Sequence, residues 1–186
     1  MRIISGALKG KSIRFLKNSN TRPLKNSVKE NIFNILKHSN LIDIKIEKAN
    51  ILDLYSGIGS FGIECISRAA QKVTFIEKDK AAAEILQKNL IQLNIVNKTV
   101  VLNNKIEDIL KFVIKKKFTI IFSDPPFVNN DYLQNLKFIK ENKMFNKKHI
   151  LIIHREKKSH DNLDDFIDVI LIKNYGRSKI IFGFFK

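Results

Sequence analysis

The pattern of hydrophobic and polar residues changes near residue 49, after which short apolar runs alternate with amphipathic segments. Strands are predicted at 50–54, 72–77, 98–102, 118–123, 149–154, 168–173 and 179–185, and helices at 60–69, 79–93, 106–116 and 131–142. Apolar strands separated by amphipathic helices are typical of an α/β fold with a parallel sheet covered on both faces. Only residues 174–178 join the last two strands, so a C-terminal antiparallel hairpin is predicted at the end of this seven-stranded sheet.

The residues before this pattern predict a small N-terminal extension. Residues 2–16 predict a β-hairpin that turns at 8–11, because polar and apolar residues partly alternate there. After a loop, Ser27 is a candidate helix N-cap, with Glu30 three residues later as in a capping box. One face of this helix carries Val28, Ile32, Ile35 and Leu36. We therefore predict two parts, a hairpin and helix extension over 1–40 and an α/β domain over 41–186.

Composition and charge narrow the class of partner. Lys+Arg 34 against Asp+Glu 18 gives a net charge of +16, which favours a polyanionic partner, most often nucleic acid. The alternative is that a Lys-, Asn- and Ile-rich composition, typical of an AT-rich genome, raises the lysine content without any function. The single cysteine, Cys65, excludes an internal disulfide and indicates a reducing compartment. With no signal peptide and no apolar run of about 18 residues, we expect a soluble, cytoplasmic protein, and we expect it to be a monomer.

A glycine-rich loop follows the first strand of the α/β pattern. Gly57, Gly59 and Gly62 match G-x-G-x-x-G, and Glu77 ends the next strand. Glycines here permit close approach of a ligand to the backbone, and the acid can accept hydrogen bonds from ribose hydroxyls. A purely structural turn is the alternative, but the placement between a strand and a helix favours a nucleoside ligand.

Two nucleoside ligands compete for this loop. A dinucleotide brings a pyrophosphate to the helix N-terminus, and Asp53, four residues before Gly57, would repel it. The same carboxylate can accept hydrogen bonds from an ammonium group. S-adenosylmethionine, which carries an amino group and a sulfonium, suits this position better.

The segment FSDPPF, residues 122–127, ends another predicted strand. Pro125 and Pro126 lack an N–H and have a fixed φ, so they end the strand and leave their carbonyls free as acceptors. Asp124 is unusual at such a point, because a buried carboxylate needs a partner. Taken alone, the segment is equally consistent with an ordinary turn.

These segments together resemble a known family. DLYSGIGSFG resembles the first motif of Rossmann-like class I S-adenosylmethionine-dependent methyltransferases, and DPPF resembles their motif for methylating an exocyclic or planar nitrogen. With MRIISGALKGKSIRF, TRPLKNSVKENIFNIL, VTFIEKD and YGRSKIIFGFF, the similarity to the bacterial RsmD family runs nearly end to end. That family methylates the N2 of one guanine of 16S ribosomal RNA. Residues that differ from the usual family pattern are Leu24, Lys105 and His154.

The resemblance implies S-adenosylmethionine as cofactor and 16S ribosomal RNA, or a small-subunit assembly particle, as partner. In the implied mechanism Asp124 and the Pro125 carbonyl accept the two N–H bonds of the target amine, Pro126 keeps the turn rigid, and Phe127 stacks on a base taken out of its helix. The implied cofactor-binding residues are Asp53, Tyr55, Ser56, Gly57, Gly59, Glu77, Lys78 and Ile106.

RNA contacts are expected from the basic residues of the N-terminal segment. They are Arg2, Lys9, Lys11, Arg14 and Arg22, although a hairpin that is merely soluble is the alternative. The run Lys115 to Lys117 indicates a solvated helix end, and Cys65 a small core residue. The histidines show no metal-ligand spacing with each other or with Cys65, so we expect no metal site.

Two further functions remain open at this point. One is methyl transfer to DNA adenine or protein glutamine, which share the DPPF chemistry. The other is a non-catalytic RNA-binding assembly protein with a relict cofactor pocket.

Overall fold

The computed structural model describes residues 1–15, 24–127 and 131–186. Its centre is a seven-stranded sheet in the order β3-β2-β1-β4-β5-β7-β6. The strands are β1 Asn50–Leu54, β2 Lys72–Ile76, β3 Thr99–Leu102, β4 Phe118–Ser123, β5 Phe145–Glu156, β6 Ile167–Tyr175 and β7 Ser178–Phe185. Strands β1 to β5 pair in parallel, and β7 is antiparallel to both β5 and β6. The predicted Rossmann-like α/β fold with a C-terminal antiparallel hairpin is therefore confirmed.

Both faces of the central strands are buried. Ile51, Ile120 and Ile150 belong to one apolar cluster, and the residues that follow each of them belong to a second cluster on the other face. Because neighbouring side chains along a strand point to opposite faces, a strand covered on both sides is apolar throughout. This is the physical origin of the apolar runs in the sequence.

Helices cover these two faces. They are α1 Asn26–His38, α2 Ser60–Ser67, α3 Lys80–Gln92, α4 Ile106–Ile109 and α5 Tyr132–Glu141. The single helix predicted over 106–116 is instead α4 followed by a 3₁₀ segment, Leu110–Val113. The buried residues Leu110 and Val113 are three positions apart, which is one turn of a 3₁₀ helix, so both face the core together with Ile106.

The predicted cap of α1 is wrong. The helix begins at Asn26, Lys25 occupies the N-cap position without a side-chain hydrogen bond, and Ser27 lies inside the first turn. The Lys29 side chain is completely buried, with its Nζ 3.5 Å from Glu64 Oε2 on α2, and its backbone N–H donates to the Lys25 carbonyl at 2.9 Å. Packing of this first turn against α2 starts the helix before the residue that the capping pattern favours.

The predicted N-terminal β-hairpin is reduced to one antiparallel bridge, between Arg2 and Ser12. The turn at residues 8–11 is present, since the Lys11 N–H donates to the Leu8 carbonyl at 3.1 Å. Cross-strand backbone bonds join Ile3 to Lys11 and Ile13 to Met1, but the pairing does not extend further because the next backbone donors of the first arm are used elsewhere. The N–H groups of residues 4 and 5 donate to the Glu64 carboxylate, and those of residues 7 and 8 donate to Ser67, all on α2.

The N-terminal residues share the core of the sheet. Ile3, Ile13 and Ile32 lie in the same apolar cluster as Ile51 of β1. The division of the chain at residue 40 remains a prediction. None of the helices within the described ranges has the length and apolar content needed to cross a membrane.

The strand order decides where a ligand can bind. The chain moves outward from β1 through β2 to β3, then returns to the other side of β1 to form β4 and β5. The connections leaving β1 and β4 therefore diverge, which opens a crevice at the carboxyl ends of these strands. The glycine-rich loop leaves β1 and the FSDPPF segment leaves β4 at this edge.

Candidate active site

The glycines of the loop after β1 have two different roles. A Cβ atom on Gly59 would lie 2.3 Å from Leu86 Cδ1, and one on Gly62 would lie 2.3 Å from Phe75 Cε1, so both glycines are required for packing. Gly57 has a φ of +53° and nothing within 4 Å of its Cβ direction. The open side of the loop is therefore at Gly57, where a ligand can approach the backbone closely.

Asp53, near the end of β1, holds this loop through a hydrogen bond. The side chain is 1% exposed, and its Oδ2 accepts a hydrogen bond from the Gly62 N–H at 3.0 Å. Burial raises the pKa of the Asp53 carboxyl well above its usual range, and the charges of Asp124 and Glu77 raise it further. Three acids thus converge at this edge of the sheet, an arrangement that favours a cation.

Glu77 closes the same loop from β2. Its Oε2 accepts from the Gly57 N–H at 2.7 Å, and its Oε1 accepts from the Asp79 N–H at 2.8 Å. The Ser56 N–H and hydroxyl both bond to the Ile76 carbonyl, which precedes Glu77. A carboxylate oxygen has two lone pairs, so the partly exposed Glu77 retains capacity to accept from ligand hydroxyls.

The remaining predicted cofactor residues lie in different environments. The Tyr55 hydroxyl accepts from Asn135 Nδ2 of α5 at 3.1 Å, and burial raises the pKa of this phenol to about 12. Lys78 is exposed, whereas Ile106 is buried at the start of α4. Ser56, Gly57, Gly59 and Glu77 thus form one loop-supported group, and all of the cofactor-binding assignments remain predictions.

The segment after β4 forms a turn with two kinds of acceptor. The Asp124 N–H bonds to the Leu54 carbonyl at 3.4 Å, which brings Asp124 beside the end of β1. Pro125 is buried, Pro126 is exposed and Phe127 is partly exposed. Among the described residues no donor bonds to the Pro125 carbonyl.

Two residues that the sequence reasoning did not assign to the site hold this turn. His154 Nδ1 lies 2.8 Å from Asp124 Oδ1. The buried Arg155 donates from its two terminal nitrogens to the Pro126 and Phe127 carbonyls, each at 3.2 Å. Both residues belong to β5, which pairs with β4. Their place near the end of an apolar strand is the one feature of the sequence that could have assigned them to the site.

Arg155 is itself held by a buried polar network. Its Nε donates to Asp161 Oδ1 at 2.9 Å, and its guanidinium lies 4.5 Å from the centre of the Tyr132 ring. The Tyr132 hydroxyl and Lys179 also bond to Asp161. Although burial opposes ionisation, the hydrogen bonds from Ser159, Tyr132, Arg155 and Lys179 lower the pKa of Asp161 to about 2.

The basic residues expected to contact RNA lie on the N-terminal segment. Arg2, Lys9, Lys11 and Arg14 are all exposed. Arg22 lies outside the described residues. Within the described ranges no group of three or more His, Cys, Asp or Glu side chains has an arrangement that could hold a metal ion.

Comparison with known proteins assigns the family. The model of a family described as conserved hypothetical protein 95 matches residues 1–184. Proteins named ribosomal RNA small subunit methyltransferase D are 35% identical in Buchnera aphidicola and in Haemophilus influenzae, over 84% of this chain and 76% and 79% of their own lengths. The chain belongs to the RsmD family.

The structure agrees with this membership. The solved structure of the yhhF protein of Escherichia coli superposes with a TM-score of 0.81 at 25% identity, covering 98% of this chain and 96% of that one. The chain is therefore a methyltransferase of Rossmann-like fold, and its cofactor is S-adenosylmethionine. The open face at Gly57 and the convergence of Asp53, Glu77 and Asp124 suit a ligand with ribose hydroxyls and positive charge.

Proposed function

We propose that this RsmD-family chain transfers a methyl group from S-adenosylmethionine to the exocyclic N2 of a guanine in 16S small-subunit ribosomal RNA. The observation that carries the proposal is the pair of acceptors after β4, the Asp124 carboxylate and the Pro125 carbonyl. They lie at the edge of the sheet where the glycine-rich loop leaves the neighbouring strand β1. When bound, S-adenosylmethionine supplies an activated methyl group on its sulfonium.

The acceptor pair suits an amine conjugated to a ring. The lone pair of such an amine is delocalised, which makes the nitrogen a poor nucleophile. If Asp124 and the Pro125 carbonyl accept its two N–H bonds, they orient the lone pair and stabilise the positive charge that develops on nitrogen. The excess proton leaves the nitrogen after the new N–C bond has formed, so Asp124 need not be a strong base.

The rest of the turn suits a base removed from its helix. Phe127 is partly exposed next to Asp124, where its ring can stack on a flipped base. The exposed residues Arg2, Lys9, Lys11 and Arg14 provide positive charge for RNA phosphates. The relatives named as ribosomal RNA methyltransferases support RNA as the class of substrate.

The deciding experiment is methyl transfer from labelled S-adenosylmethionine to unmodified small-subunit RNA, both naked and in assembled particles, followed by mapping of the product. We expect label on N2 of one guanine. Label on DNA adenine or protein glutamine in parallel reactions would mean that this substrate, and not the guanine of ribosomal RNA, is methylated. Tight cofactor binding without label on any of the three would favour the non-catalytic RNA-binding function.

A further inference from the structure

His154 of β5 is joined to the proposed catalytic carboxylate but satisfies only half of its own hydrogen-bonding capacity. Its Nδ1 lies 2.8 Å from Asp124 Oδ1. Its Nε2 is buried and has no hydrogen-bond partner among the described residues. The imidazole ring also meets the Phe127 ring edge-on, with centroids 5.4 Å apart and an interplanar angle of 81°.

The hydrogen bond to Asp124 determines which tautomer of His154 is present. An ionised carboxylate only accepts, so Nδ1 must carry the proton that is donated to Oδ1. The lone pair of Nε2 then lies in a buried environment without a donor, which costs stability. A phenyl ring at position 154 would avoid this cost, so what the imidazole contributes at this point is its bond to Asp124.

Another histidine of the same strand shows the contrast. His149 Nδ1 bonds to the Asn146 carbonyl at 3.0 Å, and its Nε2 accepts from the Phe185 N–H at 2.9 Å. Both ring nitrogens of His149 therefore hold the fold together. Within the described part of the chain the His154 ring makes one hydrogen bond, and that bond is to the carboxylate of the turn.

We propose that His154 is a positioning residue that fixes Asp124 for the methyl-transfer reaction. By binding Oδ1 it orients the carboxylate, and Oδ2, which has no partner among the described residues, is left for the substrate amine. Its edge contact aligns the ring of Phe127 next to the same position. The inference rests on the role of Asp124 given under Proposed function.

The test compares purified variants by kcat, RNA KM, cofactor affinity and thermal stability. His154→Phe removes the donor and keeps a ring against Phe127. We expect kcat to fall about 10- to 100-fold, the scale of a misplaced catalytic group, with RNA KM and cofactor affinity within about twofold and stability equal to or above that of the unsubstituted protein. His154→Asn, whose amide nitrogen can occupy the Nδ1 position, should restore most of kcat.

Two controls separate positioning from folding. His149→Phe should lower the melting temperature yet leave kcat per folded molecule unchanged. In an Asp124→Ala background, His154→Phe should have little further effect, because residues that act through one another are not additive.

The possible failures are distinguishable. If Asp124→Ala loses activity but His154→Phe retains kcat, or if the two losses multiply, the role of His154 is overturned and the proposed function stands. If Asp124→Ala also retains normal methylation, both are overturned.

Discussion

Arg14 and Asn89 are joined by two hydrogen bonds, in which the Arg14 N–H donates to Asn89 Oδ1 at 2.8 Å and Asn89 Nδ2 donates to the Arg14 carbonyl at 3.1 Å. The same Nδ2 lies 3.4 Å from the carbonyl of Ile58, which is between Gly57 and Gly59 of the glycine-rich loop. Gln92, one turn later on α3, donates to the Ser12 carbonyl. The N-terminal basic segment is thus seated on α3 mainly through its backbone, although Arg14 Nε also donates to Gln92 Oε1 at 3.3 Å. The side chains of Arg2, Lys9 and Lys11 are exposed.

This seating makes the RNA contacts testable by side-chain substitution. Changing Arg2, Lys9, Lys11 and Arg14 together to Ala should weaken RNA binding and lower the slope of log affinity against log salt by about 3. Each neutralised phosphate contributes about 0.7 to 0.9 to that slope. Cofactor affinity should remain unchanged because Asn89 and Gln92 still hold the backbone.

The matched control changes four exposed lysines away from this segment, Lys98, Lys111, Lys115 and Lys116, to Ala. Filter binding across a series of salt concentrations measures both variants. An equal loss in the two variants would mean that net charge alone determines RNA binding and would remove the assignment to the N-terminal segment.

Asp53→Asn should increase stability at neutral pH while it weakens cofactor binding. Because burial raises the folded-state pKa of Asp53 above its value of 3.8 in an unfolded chain, the folded state binds this proton more tightly. Stability is therefore lost as the pH rises from about 4 through the folded pKa. An asparagine does not ionise, and its carbonyl oxygen can still accept from the Gly62 N–H.

Urea unfolding of both proteins between about pH 4 and pH 8 measures this difference. The advantage of the variant should grow with pH, and a constant difference would contradict the argument. Calorimetry with S-adenosylmethionine should show a loss of affinity of about tenfold or more, the scale of one charge-assisted hydrogen bond. Unchanged affinity would remove Asp53 from the cofactor site.

Asp124→Ala should separate cofactor binding from catalysis. The substitution removes an acceptor that is used as charge develops on the target nitrogen, so turnover should fall by about two orders of magnitude or more. The affinity for S-adenosylmethionine should change little. Single-turnover methylation measures the first effect and calorimetry the second, with the exposed Asp164→Ala as control. Near-normal methylation by Asp124→Ala would mean that FSDPPF is a structural turn without a catalytic role.

Glu64 should be more important for stability than its partner Lys29. Both side chains are fully buried, but Glu64 also accepts from the N–H groups of Ile4 and Ser5 and from Arg68 Nε. Glu64→Leu therefore leaves two backbone donors without their acceptor and a buried ammonium with only the Ser60 hydroxyl, 3.2 Å from Lys29 Nζ, and should cost about 3 to 5 kcal/mol. Lys29→Met should cost clearly less, because Arg68 remains beside the carboxylate.

Chemical unfolding measures both substitutions. Hydrogen exchange at Ile4 and Ser5 should accelerate in Glu64→Leu and stay slow in Lys29→Met. Equal free energies of unfolding for the two variants would show that the ion pair, rather than the backbone contacts of Glu64, provides the stability.

The amino-acid sequence by itself determined the order and type of the main elements. Strands buried on both faces must be apolar throughout, and the linker of residues 174–178 is too short for a crossover helix, so the sheet and its terminal hairpin were predictable. Gly57, Glu77 and Asp124 were identifiable as candidates because each lies within three residues of the end of an apolar strand, where parallel strands bring their carboxyl ends together.

Only the tertiary structure decided the partners of side chains that are distant along the chain. The donors of residues 4, 5, 7 and 8 bond to α2 instead of extending the N-terminal hairpin, α1 starts where Lys29 is buried against Glu64, and Asp53 bonds to Gly62. His154 lies 30 positions after Asp124 and meets it because β5 pairs with β4. Local patterns report the faces and ends of an element, whereas these contacts depend on how the elements pack in three dimensions.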